Sequence, residues 1–312
     1  MVSDMVRVRV PASSANLGPG FDCIGVALNL YTEISMGFVE DGLLIEVLGE
    51  DYKDIEKNQD NLVYRAAKKV FEKTQTDYTG LNIKIKVGIP LGSGLGSSAS
   101  AIIGGMVAAN ELIGKPLRDD EILNLAASME GHADNVGPAL LGGLNIMAFD
   151  GAVTYYIRKE LDEDLKFVAF TPNRVLKTET ARNVLPAKVD FKDAVFNTGR
   201  SSLLAAALFS EEYGLLKIAS QDVLHQKYRS KLIPEMYKCF DKALECGAYF
   251  AFLSGAGPTI MAVCSEESAD KVVEGVGSVY KSMEIDYRVY KLKCDNKGAH
   301  IIKNGSTTNC LL

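Results

Sequence analysis

The sequence lacks the features that define several large classes of protein. No run of lysines and arginines occurs in its 312 residues, and 34 basic residues against 40 acidic ones give a net charge of −6. With a pI of about 5.3, the chain has no electrostatic footprint of a nucleic-acid binder. We therefore expect no nucleic-acid partner.

Long hydrophobic runs are also missing. The stretch that comes closest, residues 248–264, is broken between 254 and 258 by a serine, two glycines and a proline. A bilayer-spanning helix needs about 20 apolar residues, so we expect no contact with a membrane. The first residues show no basic segment followed by an apolar one, which favours a protein without a signal peptide.

Cysteine patterns that bind metals are absent as well. None of the six cysteines belongs to a Cys-x-x-Cys pair, so zinc-ligand spacing is missing. Six cysteines spread over a chain of this length are not a disulfide framework. Apolar (47%) and charged (24%) residues occur at globular averages. The composition therefore predicts an acidic, cytoplasmic globular protein with reduced thiols.

The periodicity of the chain predicts an α+β protein. Strict alternation over residues 6–10 and 81–87 indicates strands, whereas residues 11–22 are too rich in small and turn residues for a regular element. A helix is predicted after Asp60, which we take as its N-cap. Further helices are predicted near residues 97–112, 120–130, 178–183, 199–218, 234–245 and 268–283, and further strands near 32–38, 43–47, 144–149, 167–171, 249–253, 259–264 and 287–292.

The composition turns polar after residue 149, which suggests a boundary between two domains. We expect an N-terminal domain over residues 1–155, a C-terminal domain over 156–296 and a polar tail over 297–312. In both halves the short connections between strands and helices are compatible with antiparallel sheets. The expected architecture is an α+β sandwich in each half.

A glycine-rich loop between a strand and a helix is the strongest chemical signal. Its sequence is Gly92-Ser93-Gly94-Leu95-Gly96-Ser97-Ser98. Glycines let a backbone approach an anion closely, and the start of the next helix offers unpaired N–H groups and a positive dipole end. Neither the lysine of a Walker A loop nor the Rossmann glycine spacing is present. An ordinary capped turn is the alternative, but phosphate binding accounts better for three glycines and two adjacent serines.

Three other clusters of polar and small residues accompany the loop. The first covers residues 11–22, the second contains Glu130, His132, Asp134 and Asn135, and the third is the turn 254–259. Each cluster alone is explained by a turn or a helix cap. Their presence in one chain together with the loop favours a functional site.

Taken together, these motifs resemble the GHMP kinase superfamily, named after the galacto-, homoserine, mevalonate and phosphomevalonate kinases. Residues 90–99 are similar to its central signature, and residues 11–22, 132–136 and 253–259 resemble the homoserine kinase family within it. The resemblance covers roughly residues 6–295, with the motifs in the family's order.

The resemblance implies a fold and a reaction. The expected fold is a two-domain GHMP kinase fold, with a left-handed β-α-β unit in the N-terminal domain and a ferredoxin-like C-terminal domain. The expected reaction is the ATP-dependent phosphorylation of the side-chain hydroxyl of L-homoserine to O-phospho-L-homoserine, a step toward threonine. ATP and Mg²⁺ are the implied cofactors, and exposed edge strands together with the habit of the family suggest a homodimer.

The resemblance also assigns roles to individual residues. Asn61 and Val63 would contact the adenine, and Ser98 and Glu130 would bind Mg²⁺. The triphosphate would lie on Pro90, Leu91, Gly92, Ser93, Gly94, Leu95, Gly96, Ser97 and Ser98. The amino-acid substrate would contact Asn16, Asp22, His132, Asn135, Thr178, Arg182 and Arg229. A carboxylate such as Asp22 suits an α-ammonium group, and the guanidinium groups of Arg182 and Arg229 suit an α-carboxylate.

Two points of the chemistry stay open in the sequence. In some members of the family the metal-binding glutamate lies further ahead of the His-x-Asp-Asn motif, whereas Glu130 precedes His132 by only two residues. The expected catalytic residues are Ser98, Asp134 and Asn135, but an asparagine cannot act as a base. We expect no strong dedicated base: either Asp134 takes the hydroxyl proton, or the proton passes directly to the phosphate.

Three other functions compete with this interpretation. Another small-alcohol kinase of the superfamily would not need the charges of Asp22, Arg182 and Arg229, which favour a zwitterionic substrate. A non-catalytic sensor would not need the intact glycine loop and Glu130. A dinucleotide-dependent oxidoreductase would need a different glycine spacing and an acidic residue at the end of the following strand.

Overall fold

The computed structural model describes residues 5–49 and 55–302 and confirms the α+β class. The strands are β1 (Val6–Asn16), β2 (Gly20–Val39), β3 (Gly42–Leu48), β4 (Gly80–Lys86), β5 (Leu144–Phe149), β6 (Thr154–Lys159), β7 (Leu165–Pro172), β8 (Phe250–Leu253), β9 (Ile260–Ser265), β10 (Tyr287–Lys293) and β11 (His300–Ile301). The helices are α1 (Leu62–Thr74), α2 (Ser97–Leu112), α3 (Asp119–Glu130), α4 (Val136–Leu141), α5 (Thr178–Asn183), α6 (Phe191–Ser210), α7 (Leu216–Ala219), α8 (Gln226–Arg229), α9 (Met236–Glu245) and α10 (Glu266–Ser282). Within the described ranges, no helix combines the length and the hydropathy needed to cross a bilayer.

The first sheet is built around the long strand β2. Its order is β11-β1-β2-β4-β3, and β5 and β6 continue from the other end of β2. Strands β3 and β4 run parallel and are joined through α1 as a β-α-β unit. Helix α2 is buried on most sides, and its Ile103 and Met106 share a core with Val10, Ile34 and Ile83 of the sheet. This core holds the start of α2 in place behind the glycine loop.

The second sheet has the order β10-β7-β9-β8, and all its neighbouring strands are antiparallel. The chain runs from β7 through helices to β8 and β9, then through α10 to β10, which is the β-α-β-β-α-β path of a ferredoxin-like fold. Helices α9 and α10 cover one face. The opposite face packs against the first sheet, where Phe167 and Phe252 share a core with Ile24 and Leu28.

Residues 11–16 belong to β1, so the expectation of an irregular segment was wrong there. Their side chains are small and buried, because the strand passes directly beneath the glycine loop. A Cβ added at Gly96 would lie 2.0 Å from the hydroxyl oxygen of Ser13. The small residues therefore reflect close packing, and only residues 17–19 turn before β2 begins at Gly20.

The helix expected over residues 199–218 was misplaced. Helix α6 begins at Phe191 and ends at Ser210, where Glu211 adopts a left-handed φ of 64°. Gly199 lies inside the helix at an open position, since an added Cβ would meet no atom within 4 Å. A glycine at such a position is tolerated within a helix and does not mark its start.

Two short strands were not predicted. Strand β6 pairs with β5, and β11 pairs with Val8 and Arg9 of β1. The sequence of β6 shows no alternation because the strand lies at an edge of the sheet, where Tyr155 and Ile157 are 61% and 65% exposed. Strand β11 lies within the segment expected to be a polar tail; residues 303–312 of that segment lie outside the described residues.

Helix α1 is capped by Asn61 and not, as predicted, by Asp60. The side-chain oxygen of Asn61 accepts hydrogen bonds from the N–H groups of Val63 and Tyr64 at 3.0 and 3.3 Å, whereas Asp60 is exposed. We expect Asn61→Ala to lower the free energy of unfolding by about 1 kcal/mol and Asp60→Ala to change it by less than about 0.5 kcal/mol. Urea titrations followed by circular dichroism measure both values, and equal losses in the two variants would contradict the cap at Asn61.

Candidate active site

The glycine loop leads directly into α2, whose N-cap is Gly96. Gly92, Gly94 and Gly96 have φ values of 60°, 88° and 71°, a region that other residues rarely adopt. The first turn of α2 also has N–H groups without a partner inside the helix. Loop and helix together therefore have the backbone geometry of an anion site.

Two neighbouring segments hold the loop, one from each side. On one side, the N–H of Ser13 in β1 donates to the carbonyl of Leu95 at 3.1 Å. On the other side, the hydroxyl of Ser254 donates to the carbonyl of Gly94 at 2.7 Å. A Cβ added at Gly94 would lie 2.4 Å from the carbonyl oxygen of Ser254, so only glycine permits this approach.

Two cavities meet at the loop. The polar cavity has a volume of about 140 Å³ and the apolar cavity one of about 250 Å³. Both are lined by Gly92, Ser97 and Ser98. The polar cavity is further lined by Asn16, Asp22, Ser93, Gly94, Gly96, Glu130, His132, Asp134, Asn135, Leu176, Thr178, Arg182, Arg229, Gly255, Ala256 and Gly257, and the apolar cavity by Thr32, Ile55, Asn61, Leu62, Val63, Ile85, Val87, Leu91 and Ala101.

The structure brings together nearly all residues that the sequence singled out. The seven residues expected at the amino-acid substrate lie around the polar cavity, and Asn61 and Val63 lie at the apolar one. Pro90 and Leu95 line neither cavity. Leu95 is fully buried, and the carbonyl of Pro90 accepts a hydrogen bond from the hydroxyl of Ser93 at 2.8 Å. These two residues shape the loop from inside.

Asp22 and Arg182, expected to take opposite charges of the substrate, form an ion pair with each other. The guanidinium donates to both carboxylate oxygens of Asp22, at 2.8 and 3.1 Å. Burial alone would lower the pKa of Arg182, but the hydrogen bond and the charge of Asp22 raise it. Asp22 is itself held with a left-handed φ of 57° by a hydrogen bond from its N–H to the side chain of Asn16.

Arg229 is 2% exposed, and its guanidinium points to backbone carbonyls and not to a carboxylate. It donates to the carbonyls of Ala181 and Gly255 at 3.2 and 2.9 Å. Burial and the positive charge of Arg182 lower the pKa of Arg229 to about 10. At neutral pH the side chain is therefore a buried cation at the wall of the polar cavity.

His132 and Asp134 form a second close pair. The ring Nδ1 of His132 lies 2.5 Å from a carboxylate oxygen of Asp134, which is 1% exposed. Burial alone would lower the pKa of His132, but the hydrogen bond and charge of Asp134 raise it. The adjacent Asn135 accepts a hydrogen bond from the hydroxyl of Ser13 at 3.0 Å. The side chains of His132 and Asn135 are thereby held in place before any ligand is bound.

Ser98 and Glu130 meet at the mouth of the polar cavity. The serine hydroxyl, in the first turn of α2, donates to the carboxylate of Glu130, the last residue of α3, at 2.5 Å. The short spacing between Glu130 and His132 thus does not prevent the glutamate from reaching the loop. A hydroxyl and a carboxylate beside a phosphate-type loop are oxygen donors of the kind that Mg²⁺ prefers.

Other residues of the site were not found from the sequence, and three of them bear on its chemistry. Leu176 lines the polar cavity, Thr32 lines the apolar one, and His225 lies fully buried behind Arg229 with its Nδ1 3.1 Å from the guanidinium. Burial, together with the positive charge of Arg229, lowers the pKa of His225. None of the three lies in a glycine-rich or charged cluster, so no local signal indicated them.

Comparison with known proteins relates this geometry to one family. The model described as "GHMP kinases N terminal domain" matches residues 61–143, and the model described as "GHMP kinases C terminal" matches residues 204–282. The homoserine kinase of Caldanaerobacter subterraneus is 60% identical over 98% of both chains. That of Clostridium beijerinckii is 43% identical, over 96% of this chain and 99% of its own.

Solved structures agree with the sequence relatives. The crystal structure of homoserine kinase from Cytophaga hutchinsonii superposes with a TM-score of 0.88 at 30% identity, covering 96% of this chain and 98% of that one. The Methanococcus jannaschii mevalonate kinase shares the fold with a TM-score of 0.69 at 20% identity, over 94% and 99% of the two chains. The two-domain fold expected from the motifs is thus confirmed, and the chain belongs to the homoserine kinase family of the GHMP kinases.

Proposed function

We propose that this protein phosphorylates the side-chain hydroxyl of L-homoserine, with ATP as donor, to give O-phospho-L-homoserine and ADP in threonine biosynthesis. One observation carries the proposal: an apolar cavity and a charged cavity meet at the glycine loop, at Gly92, Ser97 and Ser98. A nucleobase in the apolar cavity and an amino acid in the polar cavity would put the phosphates of the nucleotide between them. Membership of the homoserine kinase family supports the same assignment.

The charges of the polar cavity match a zwitterionic amino acid. We assign the α-ammonium group to Asp22, because Glu130 and Asp134, the other two carboxylates at this wall, bind Ser98 and His132. The α-carboxylate is assigned to the guanidinium groups of Arg182 and Arg229. When the substrate binds, the Asp22–Arg182 ion pair would be replaced by two others: Asp22 with the α-ammonium group and Arg182 with the α-carboxylate. Asn16, His132, Asn135 and Thr178 complete the wall as hydrogen-bonding groups.

The glycine loop is the proposed phosphate site. Its backbone and the first turn of α2 would donate N–H groups to the triphosphate, in place of the lysine of other kinases. Ser98 and Glu130 would hold Mg²⁺, which supplies charge neutralisation at the transferred phosphoryl group when it is bound. The direct contact between these two side chains supports their common role.

The proton of the substrate hydroxyl needs no strong base. The P–O bond to ADP breaks as the homoserine oxygen bonds to phosphorus, and the hydroxyl proton ends on a phosphate oxygen or in solvent. Asp134 already holds His132 through a short hydrogen bond and is 1% exposed. Positioning and electrostatic stabilisation, which provide most of the catalysis in phosphoryl transfer, are what this site offers.

The substrate is tested by ADP release with Mg·ATP and a panel of L-homoserine, L-threonine, L-serine, mevalonate and galactose. We expect turnover with homoserine far above the rest, because mevalonate and galactose carry no ammonium group for Asp22 and serine has a shorter side chain. In the same assay, Arg182→Gln should raise the KM for homoserine by roughly 10- to 100-fold, the scale of a lost charged hydrogen bond, with little change in the KM for ATP.

Arg200→Gln is the matched control: Arg200 is half-buried outside both cavities, so this variant should behave as the unaltered protein. Turnover of another alcohol in place of homoserine would refute the assignment of homoserine as substrate but would still support the nucleotide site. ATP binding without turnover of any alcohol would favour a sensor.

The metal site is tested by the Mg²⁺ concentration at half-maximal rate. Glu130→Gln removes a carboxylate charge from the ligand set, so we expect this concentration to rise by at least about 10-fold. Glu212→Gln, at an exposed position away from both cavities, should leave it unchanged. An unchanged Mg²⁺ requirement in the Glu130 variant would assign the metal to other groups.

The proton pathway is tested with Asp134→Asn, which keeps an oxygen for the hydrogen bond from His132. A dedicated base contributes about 10²- to 10⁴-fold to a rate. Without such a base, we expect kcat to fall by less than about 100-fold, measured by steady-state kinetics. A loss beyond about 1,000-fold with an unchanged KM for homoserine would identify Asp134 as the base.

A further inference from the structure

One buried threonine lines the apolar cavity. Thr32 lies in β2 opposite Val10, is 3% exposed, and lines this cavity. Its hydroxyl has no hydrogen-bond partner within residues 5–49 and 55–302. A buried hydroxyl without a partner destabilises a folded chain, so its presence at a cavity wall points to a ligand that pairs with it.

Two other polar side chains at this cavity, Asn61 and Ser98, are already engaged, and Ser97 is only half-buried, at the glycine loop. The amide oxygen of Asn61 caps α1, and its amide nitrogen donates to the carbonyl of Glu56 at 2.6 Å. The hydroxyl of Ser98 donates to Glu130. Thr32 is therefore the buried group left to bind a polar atom deep in a cavity otherwise walled by residues such as Ile85 and Val87.

Apolar walls with one buried, unpaired hydroxyl suit a nucleobase. The faces of a base are apolar, and its edge carries amino groups and ring nitrogens. A threonine hydroxyl both donates and accepts, so it can pair with either kind of atom. The cavity reaches Gly92 and Ser97 of the loop at one end, so a base held inside it leaves the phosphates at the loop.

We propose that the hydroxyl of Thr32 hydrogen-bonds the base of the nucleotide and helps to select the donor. This inference rests on the proposed function, because it requires a nucleotide donor. It predicts two effects of opposite sign for Thr32→Val, which exchanges the hydroxyl for a methyl group of similar size. The free protein loses an unpaired polar group and should not be destabilised, whereas the bound base loses its partner.

The experiment is titration calorimetry with ADP and with inorganic tripolyphosphate, together with thermal unfolding of the free protein. For Thr32→Val we expect the Kd for ADP to rise by roughly 5- to 50-fold, with an unchanged Kd for tripolyphosphate and a melting temperature that is unchanged or higher. Thr32→Ser keeps a hydroxyl and should bind ADP nearly as the unaltered protein does.

Thr154→Val is the matched control. The Thr154 hydroxyl is also buried without a partner among the described residues, but it lies in β6 outside both cavities. This variant should match Thr32→Val in stability and leave both affinities unchanged.

Three results would overturn the inference. Unaltered ADP affinity in Thr32→Val would show that the hydroxyl does not contact the base, and equal losses for ADP and tripolyphosphate would show a general disturbance of the loop. If the unaltered protein bound no ADP, the proposed function would be overturned as well. Failure of the Thr32 inference alone is therefore distinguishable from failure of the proposed function.

Discussion

The site depends on three stretches of backbone that approach one another with only small side chains between them. The glycine loop lies between β1 and the turn 254–257, where a Cβ at Gly94 or Gly96 would come within 2.4 or 2.0 Å of neighbouring atoms. On the other side of β1, a Cβ at Gly25 would come within 1.8 Å of the carbonyl of Asp134. These contacts set the distance between the loop, the His132–Asp134 pair and the second sheet, and thereby the dimensions of both cavities.

Most ionisable side chains of the polar cavity have a partner before any ligand arrives. Asp22 pairs with Arg182, Asp134 with His132, and Glu130 with the hydroxyl of Ser98. Burying an unpaired charge is costly, so these pairs let five ionisable groups share a small space. A ligand with one charge of each sign can replace a pair without leaving a charge alone, which is why a zwitterion suits this cavity better than an uncharged alcohol.

The two cavities separate two kinds of recognition. On the polar side, ion pairs and hydrogen bonds orient a small charged molecule; on the apolar side, the walls accept a flat apolar one. The start of α2 lies between them and contributes its N–H groups at the junction. Because α2 is packed in the core of the first sheet, this junction is rigid, as transfer of a phosphoryl group between two bound molecules requires.

The sequence by itself determined the family, the fold class and most of the cavity walls. The residues concerned act through local requirements: the loop needs glycine at 92, 94 and 96 for its positive φ values, and the alternation of residues 81–87 follows from one buried face of β4. Such requirements are visible in a few consecutive residues. The motifs therefore indicated the glycine loop and the residues that line the polar cavity.

Only the tertiary structure decided which partners these residues have. Arg182 meets Asp22 across 160 positions of the chain, and Ser13 meets Asn135 across 122. The small residues of β1 were mistaken for a turn because the loop that packs on them is distant in sequence. Nothing in the sequence indicated the unpaired hydroxyl of Thr32, because threonine is common in strands and the cavity beside it exists only in the folded chain. Local patterns carry no information on such long-range contacts, because these arise only when the chain is packed.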